Sequence, residues 1–268
     1  MLRVASAAVL LTVLLAAIWL GPFQVTAALV VIAAAVAGGE LAVMSGRIGA
    51  GVPTVFVAVA SSVLAMAFVV SLGAAAHDPG ILAGVLAALL LAAGVFTLAS
   101  GPPAPASITR AGVMVLAPIY VGIPLGAIAL VQLTAGPAAT TWLIAVIAIS
   151  DSAQYYTGRA FGRHKLAPSV SPAKTVEGAI GGVVVAAVAG AALARVCLPQ
   201  VPIAAAAVLT LALVTFGIAG DLFESLLKRS AGVKDSSALI PGHGGVLDRI
   251  DSHLFAAPVF FLFLRYVA

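Results

Sequence analysis

A chain of 268 residues that is 63% hydrophobic and only 8% charged, with a mean hydropathy of +1.22, takes lipid rather than water as the solvent of most of its length. Its formal charge of +4 would suit nucleic acid only if a basic face carried aromatic or groove-reading elements, and none is visible, so no nucleic-acid partner is expected. Basic residues gathered on one side of a membrane, facing anionic headgroups or a triphosphate, account for the charge instead.

Apolar runs rich in Ala, Leu and Val approach the roughly 20 residues that a helix needs to cross about 30 Å of hydrocarbon. Only helices or closed barrels satisfy a backbone there, and no run alternates apolar with polar residues. The fold class is therefore all-α, a polytopic integral membrane protein. In chain order the expected spans are 4–20, 22–38, 53–76, 80–99, 111–134, 138–162, 176–197, 203–230 and 247–267, about nine transmembrane helices. Arg3 precedes the first run as in a signal peptide, but no small-x-small cleavage site follows Ala17-Ile18-Trp19-Leu20, so a retained helix is expected. Pro118 and Pro124 are expected to kink or break the fifth span. The single Cys197 cannot form an internal disulfide and reads as a small core residue.

With nine spans, eleven of the thirteen Lys and Arg residues fall on the N-terminal side, and only Arg195 and Arg265 on the other. The positive-inside rule then makes the N-terminus cytoplasmic and leaves the C-terminus outside, with the loops near 159–175 and 228–249 facing cytosolic metabolites. An Ala-rich chain without long soluble extensions suggests a bacterial plasma (inner) membrane. Residues 1–135 hold few charges and read as an N-terminal transmembrane scaffold. Residues 136–268 read as the catalytic transmembrane region with cytoplasmic active-site loops, the two packed as one membrane domain.

Charge is concentrated late: nine of the 22 charged side chains lie in the 31 residues from Asp221 to Asp251. Ahead of them, Asp151, Tyr155 and Arg159 lie at i, i+4 and i+8 on one helical face, with Asp151 inside the membrane. Such a residue either bonds a neighbouring helix or Arg159, or lines a site, and an intramembrane acid points to the site. In Ser171-Pro-Ala-Lys174-Thr175-Val-Glu177-Gly178, Thr175 reads as an N-cap and Glu177 as a first-turn acid. The same helix start, with Lys174 alongside, would equally hold an anion such as phosphate. Asp221, Ser225 and Lys228 share a face, with Arg229 one step beyond, a wall suited to a Mg-bound phosphate chain. Lys228 and Arg229 alone would read as interfacial anchors. Gly242-His243-Gly244-Gly245 can present several backbone N–H groups in a tight loop. His243 has no second histidine at zinc-ligand spacing. Asp248 and Asp251, spaced i+3 in the first turns of the next helix, read either as dipole partners or, with Asp221, as a hard-cation site.

Together Ser225-x2-Lys228-Arg229-x4-Lys234-Asp235-x-Ser237-x2-Ile240-Pro241-x-His243-Gly244-Gly245-x2-Asp248-Arg249-x-Asp251, 27 residues without a gap, resembles the signature of phosphatidate cytidylyltransferases, the CDP-diacylglycerol synthases. Asp151 with Tyr155, Gly158-Arg159-x-Phe161-Gly162 and the Ser171–Gly178 segment support the resemblance. Ala173 stands where the family commonly carries a second lysine, and Gln154 is a further departure. The resemblance implies CTP and phosphatidic acid as substrates, CDP-diacylglycerol and pyrophosphate as products, and Mg2+ as cofactor, with a second cation of unspecified identity left open. It implies Asp221, Asp248 and Asp251 as metal ligands, and phosphate contacts from Lys228, Arg229, Lys234 and Arg249 near Ser225. Asp151, Tyr155, Arg159, Lys174, Thr175, Glu177, His243, Gly244 and Gly245 are then substrate-binding residues, and a homodimer is compatible. The competing readings are a CTP-dependent polyprenol or phytol kinase, a CDP-archaeol synthase, or an ion-coupled secondary transporter. A transporter predicts charges at the midplane of repeated halves, whereas here they gather at one edge of one half.

Overall fold

The structure, a computed structural model, describes residues 2–73, 78–240, 242 and 244–267, with backbone alone for 2–8 and 10. Pro241, His243 and the end of the expected 53–76 span lie outside the described residues. The elements follow as α1 (Leu2–Leu20), α2 (Phe23–Arg47), α3 (Thr54–Leu72), α4 (Pro79–Ala99), α5 (Ala106–Phe161), β1 (Lys165–Ala167), β2 (Ser171–Thr175), α6 (Val176–Cys197), α7 (Ile203–Ser230) and α8 (Leu247–Tyr266). Among the described residues the regular structure is helical apart from one antiparallel hairpin, in which Lys165 faces Thr175 and Ala167 faces Ser171, and an isolated bridge between Ile240 and Gly244. Local chemistry sets the helix starts. Asp78 caps α4 through Oδ1, which accepts from the N–H of Gly80 at 2.8 Å, with Pro79 next in the chain.

Among the described residues six helices, α2 to α7, are long and apolar enough to cross a membrane. In α8, Asp248, Arg249, Asp251 and Arg265 interrupt the apolar run. The backbone keeps helical dihedrals through Pro118 and Pro124, which were expected to kink or break the span, and leaves helical geometry at Gly136 (φ 80°, ψ −177°), in the gap expected between the spans 111–134 and 138–162. Apolar surroundings favour intrasegment bonding, and a single missing N–H is tolerated in such helices. The 56 residues of α5 would measure about 84 Å unbroken, at about 1.5 Å per residue. Divided at Gly136, its arms 106–135 and 137–161 are each about the length of one crossing.

The chain divides into two units: Met1–Thr134 with Ser230–Arg249, and Ala135–Arg229 with Ile250–Ala268. Residues 230–249, expected with the C-terminal half, therefore belong with the N-terminal one, because Glu40 of α2 holds them. In the first unit α3 packs on α2 and α4, with Val30, Ala34, Val57, Leu64, Val121 and Leu125 buried. The first arm of α5 is fixed by Arg110 Nε, which donates to the carbonyl of Ala50 at 2.9 Å, and by Gln132 Nε2, which donates to that of Ile18 at 2.9 Å.

In the second unit the buried stripe Gly178, Gly182, Ala186, Gly190 and Ala194 on α6 lets neighbouring helices approach closely. Trp142 of α5 donates its indole N–H to the carbonyl of Gly190 at 2.9 Å and packs on Phe260 of α8, ring centres 5.2 Å apart. Thr175, as expected, is the N-cap of α6, its Oγ1 accepting from the N–H of Gly178 at 3.1 Å. Thr175→Ala is expected to cost about 1 kcal/mol, read as a lower thermal midpoint of the detergent-solubilised protein.

Candidate active site

In the second unit, four elements bring together most of the residues singled out from sequence. The final arm of α5 carries Asp151 ten residues before its end at Phe161, about 15 Å along the axis. Gln154 Nε2 donates to Asp151 Oδ1 at 3.2 Å, and Arg159 Nη1 to the Tyr155 hydroxyl at 3.4 Å. Asp151, Tyr155 and Arg159 are all exposed, on one face, as the spacing requires.

The hairpin was not foreseen, and it is what delivers Lys174 to the site. Its ammonium lies 2.5 Å from Asp221 Oδ2 on α7. Glu177 is committed to the α5–β1 turn: its carboxylate accepts from the N–H groups of Arg163 (3.0 Å) and His164 (3.2 Å) and sits 2.6 Å from His164 Nδ1. The start of α6 therefore differs from the anion cradle considered from sequence. The N–H of Gly178 is taken by Thr175, and Lys174 is paired with a carboxylate.

On α7, Ser225 Oγ donates to Asp221 Oδ1 at 3.3 Å. Lys228 does not stand on an open wall with them: it is 8% exposed and ion-paired with Glu224, which is fully buried. Arg229 remains exposed, its Nε donating to the carbonyl of Val170 in the hairpin turn at 3.3 Å. Helix α8 crosses α7 tightly, with Phe223 and Phe255 ring centres 5.6 Å apart. A side chain on Gly220 would come within 2.7 Å of the backbone oxygen of Asp251. That approach sets Asp251 close enough to feel the charges of Asp221, Asp151 and Lys228. The cluster thus interleaves Asp151, Asp221, Glu224 and Asp251 with Lys174 and Lys228.

The first unit holds the rest of the signature. Ile240 donates its N–H to the carbonyl of Gly244 at 2.8 Å, closing a tight loop in which Gly242 and Gly244 have φ of 78° and 80°. His243 lies outside the described residues. The N–H groups of Gly242-His243-Gly244-Gly245 were expected to face an anionic ligand, but a protein carboxylate takes that of Gly245, and carboxylates also take those of the neighbouring Ser236, Val246 and Leu247. Asp248 Oδ2 accepts from the N–H of Gly245 (2.7 Å) and of Ser236 (2.9 Å). Glu40 accepts from those of Val246 (3.0 Å) and Leu247 (2.8 Å). Gly245 has no room for a side chain, since a Cβ there would overlap Ser236 Oγ and both carboxylate oxygens of Glu40. Lys234 and Arg249 are exposed.

The expected ligand trio is thus split, with Asp221 and Asp251 in one unit and Asp248 in the other. Among the described residues no group of three His, Cys, Asp or Glu side chains is arranged to hold a metal ion. Sequence reasoning also passed over Glu40, Glu224 and Ser236. Glu224 was accessible from its i,i+4 spacing to Lys228. Glu40 could have been flagged as an acid in an apolar helix, though nothing local names its partners.

The chain matches the cytidylyltransferase family across residues 1–267. It is 48% identical over 122 residues to the phosphatidate cytidylyltransferase of Haemophilus influenzae, covering 44% of this chain and 42% of that one. To the phosphatidate cytidylyltransferase of Bacillus subtilis it is 46% identical over 119 residues, 44% of each chain. To that of Pseudomonas aeruginosa it is 43% identical over 153 residues, 56% of this chain and 54% of that one. The chain spans about half the length of the curated relatives it matches.

Proposed function

Since the chain belongs to the cytidylyltransferase family, we propose that it transfers the cytidylyl group of CTP to phosphatidic acid, forming CDP-diacylglycerol and releasing pyrophosphate. The observation that carries this reading is the cluster in which Lys174 meets Asp221 beside Asp251. A phosphate oxygen of the lipid attacks the α-phosphorus of CTP in line. A new P–O bond forms, the bond to the β-phosphate breaks, and pyrophosphate leaves with the electron pair. Both reactants are anions, so the first barrier is their mutual repulsion. Lys174, Arg159 and Arg229 lower it by placing positive charge at the cytoplasmic edge, where the lipid phosphate also lies.

Asp221 and Asp251 fit Mg2+, which is usually held by one or two carboxylates together with substrate phosphates rather than by an all-protein cage. When bound, Mg2+ supplies charge neutralisation of the leaving pyrophosphate. A carboxylate pair that can take the cation, with an ammonium already on one of its oxygens, lets Lys174 move from Asp221 to a phosphate oxygen. Asp248 as a further ligand, a second cation, and Lys228, Lys234 and Arg249 as phosphate contacts are parts of the same proposal, carried by the resemblance. So are nine spans, a cytoplasmic N-terminus, an inner-membrane location with the active site facing the cytoplasm, and a homodimer.

The test is to incubate detergent-purified protein with labelled CTP, Mg2+ and phosphatidic acid, and to follow CDP-lipid and pyrophosphate together. Equal amounts of both products are expected. Release of CDP with a phosphorylated alcohol from phytol or polyprenol would replace this reading by a kinase, and no turnover with any acceptor would end it.

A further inference from the structure

We infer that Glu40, on α2, is a positioning residue for this reaction: it clasps the signature loop and thereby sets the carboxylate of Asp248. The inference rests on the transfer proposed above. Glu40 is 7% exposed, and four donors from the loop converge on it. Ser237 Oγ (2.7 Å) and the N–H of Val246 (3.0 Å) donate to Oε1, while Ser236 Oγ (2.9 Å) and the N–H of Leu247 (2.8 Å) reach Oε2. The two backbone groups lie at the start of α8, where N–H groups lack partners within the helix. A local Ser, Thr or Asp usually fills that need; here an acid some two hundred residues earlier in the chain fills it.

The clasp reaches Asp248 through Ser236. Its Oγ lies 2.9 Å from Glu40 Oε2 and 2.9 Å from Asp248 Oδ2, and its N–H donates to the same Asp248 oxygen. A serine hydroxyl has one proton, so it serves one carboxylate at a time, and the spacing of the two is fixed by the residue that links them. A carboxylate suits position 40 because each of its oxygens faces a main-chain N–H, which can only donate. An amide there would turn its own N–H groups on one of these two, although the serine hydroxyls could rotate to accept.

Glu40→Gln is the test, in the full-length protein in detergent, read by hydrogen exchange and by kinetics. Exchange at the amides of Ser236, Gly245, Val246 and Leu247 is expected to rise, with α6 unchanged as an internal reference. The kcat is expected to fall about 10- to 100-fold, as for residues that orient a site from behind, with little change in KM for CTP. A Glu40→Gln, Ser236→Ala double variant is expected to be no slower than the worse single one, since both break the same link. If Glu40→Gln does not survive extraction, Ser237→Ala removes one of the four bonds and carries the same test with a smaller effect. Unchanged exchange, an unchanged kcat, or losses that multiply in the double variant would overturn the inference. Should the parent protein make no CDP-lipid, the transfer reading falls, while the exchange data still decide the clasp.

Discussion

Asp221→Asn is expected to lower kcat/KM for CTP by about 100- to 1,000-fold, or roughly 3–4 kcal/mol of transition-state stabilisation, the usual loss when one preorganised electrostatic group is removed. The substitution keeps the shape and removes the charge. Ser225 keeps an acceptor, since the amide oxygen can replace the Oδ1 that it now bonds at 3.3 Å. Lys174 loses the anion that lies 2.5 Å from its ammonium. Because that pair is partly exposed, its contribution to stability is small, so the thermal midpoint should barely move while turnover collapses. Raising Mg2+ should restore part of the rate if Asp251 and the phosphates still hold the cation. A variant that turns over like the parent would remove Asp221 from the chemistry. An equal loss of stability and rate would make it a structural residue.

The helices were legible because their signal is a length and a composition, both set by the bilayer. Expected and observed starts of the seventh and eighth expected spans coincide, α6 at Val176 and α7 at Ile203. The hairpin was not legible. Its strands are three and five residues long, too short for any period, and one contains Pro172, which argues against a strand. Pro118 and Pro124 carry the usual sign of a break, as does Gly136 with Pro137, and the break at 136 falls in the gap expected between the spans 111–134 and 138–162. At Pro118 and Pro124, apolar surroundings and close packing on α3 keep the helix whole, and no local residue reports on that.

The site divides along the same line. The i, i+4 relations on α5 and α7 follow from helical geometry and recur in the structure, including the face shared by Asp151, Tyr155 and Arg159. What single-chain spacing could not supply is the partner across elements: Lys174 on Asp221, Glu177 on the α5–β1 turn, and Glu40 on the signature loop. Each partner redirected a residue. Glu177 and Thr175, read as substrate-binding, make bonds that build the turn and the cap from which Lys174 projects. The expected open N–H groups at two helix starts are occupied by side chains.

Glu224 shows the largest expected effect on stability. Its carboxylate is fully buried and ion-paired with Lys228, itself 8% exposed. Removing one partner leaves a buried charge uncompensated, so Glu224→Ala is expected to cost about 3–5 kcal/mol, enough to threaten a protein of ordinary marginal stability. Replacing both partners with apolar groups of similar volume, Glu224→Leu with Lys228→Met, should return much of that stability, because neither charge then needs desolvation. Activity separates two roles for Lys228. If its ammonium contacts a substrate phosphate, the double variant folds but stays slow, with a raised KM for CTP. If Lys228 serves only to neutralise Glu224, stability and rate recover together. Thermal unfolding of the two variants and the parent alongside CTP saturation curves gives the answer, and a Glu224→Ala protein as stable as the parent would mean that water or a third group already compensates the buried lysine.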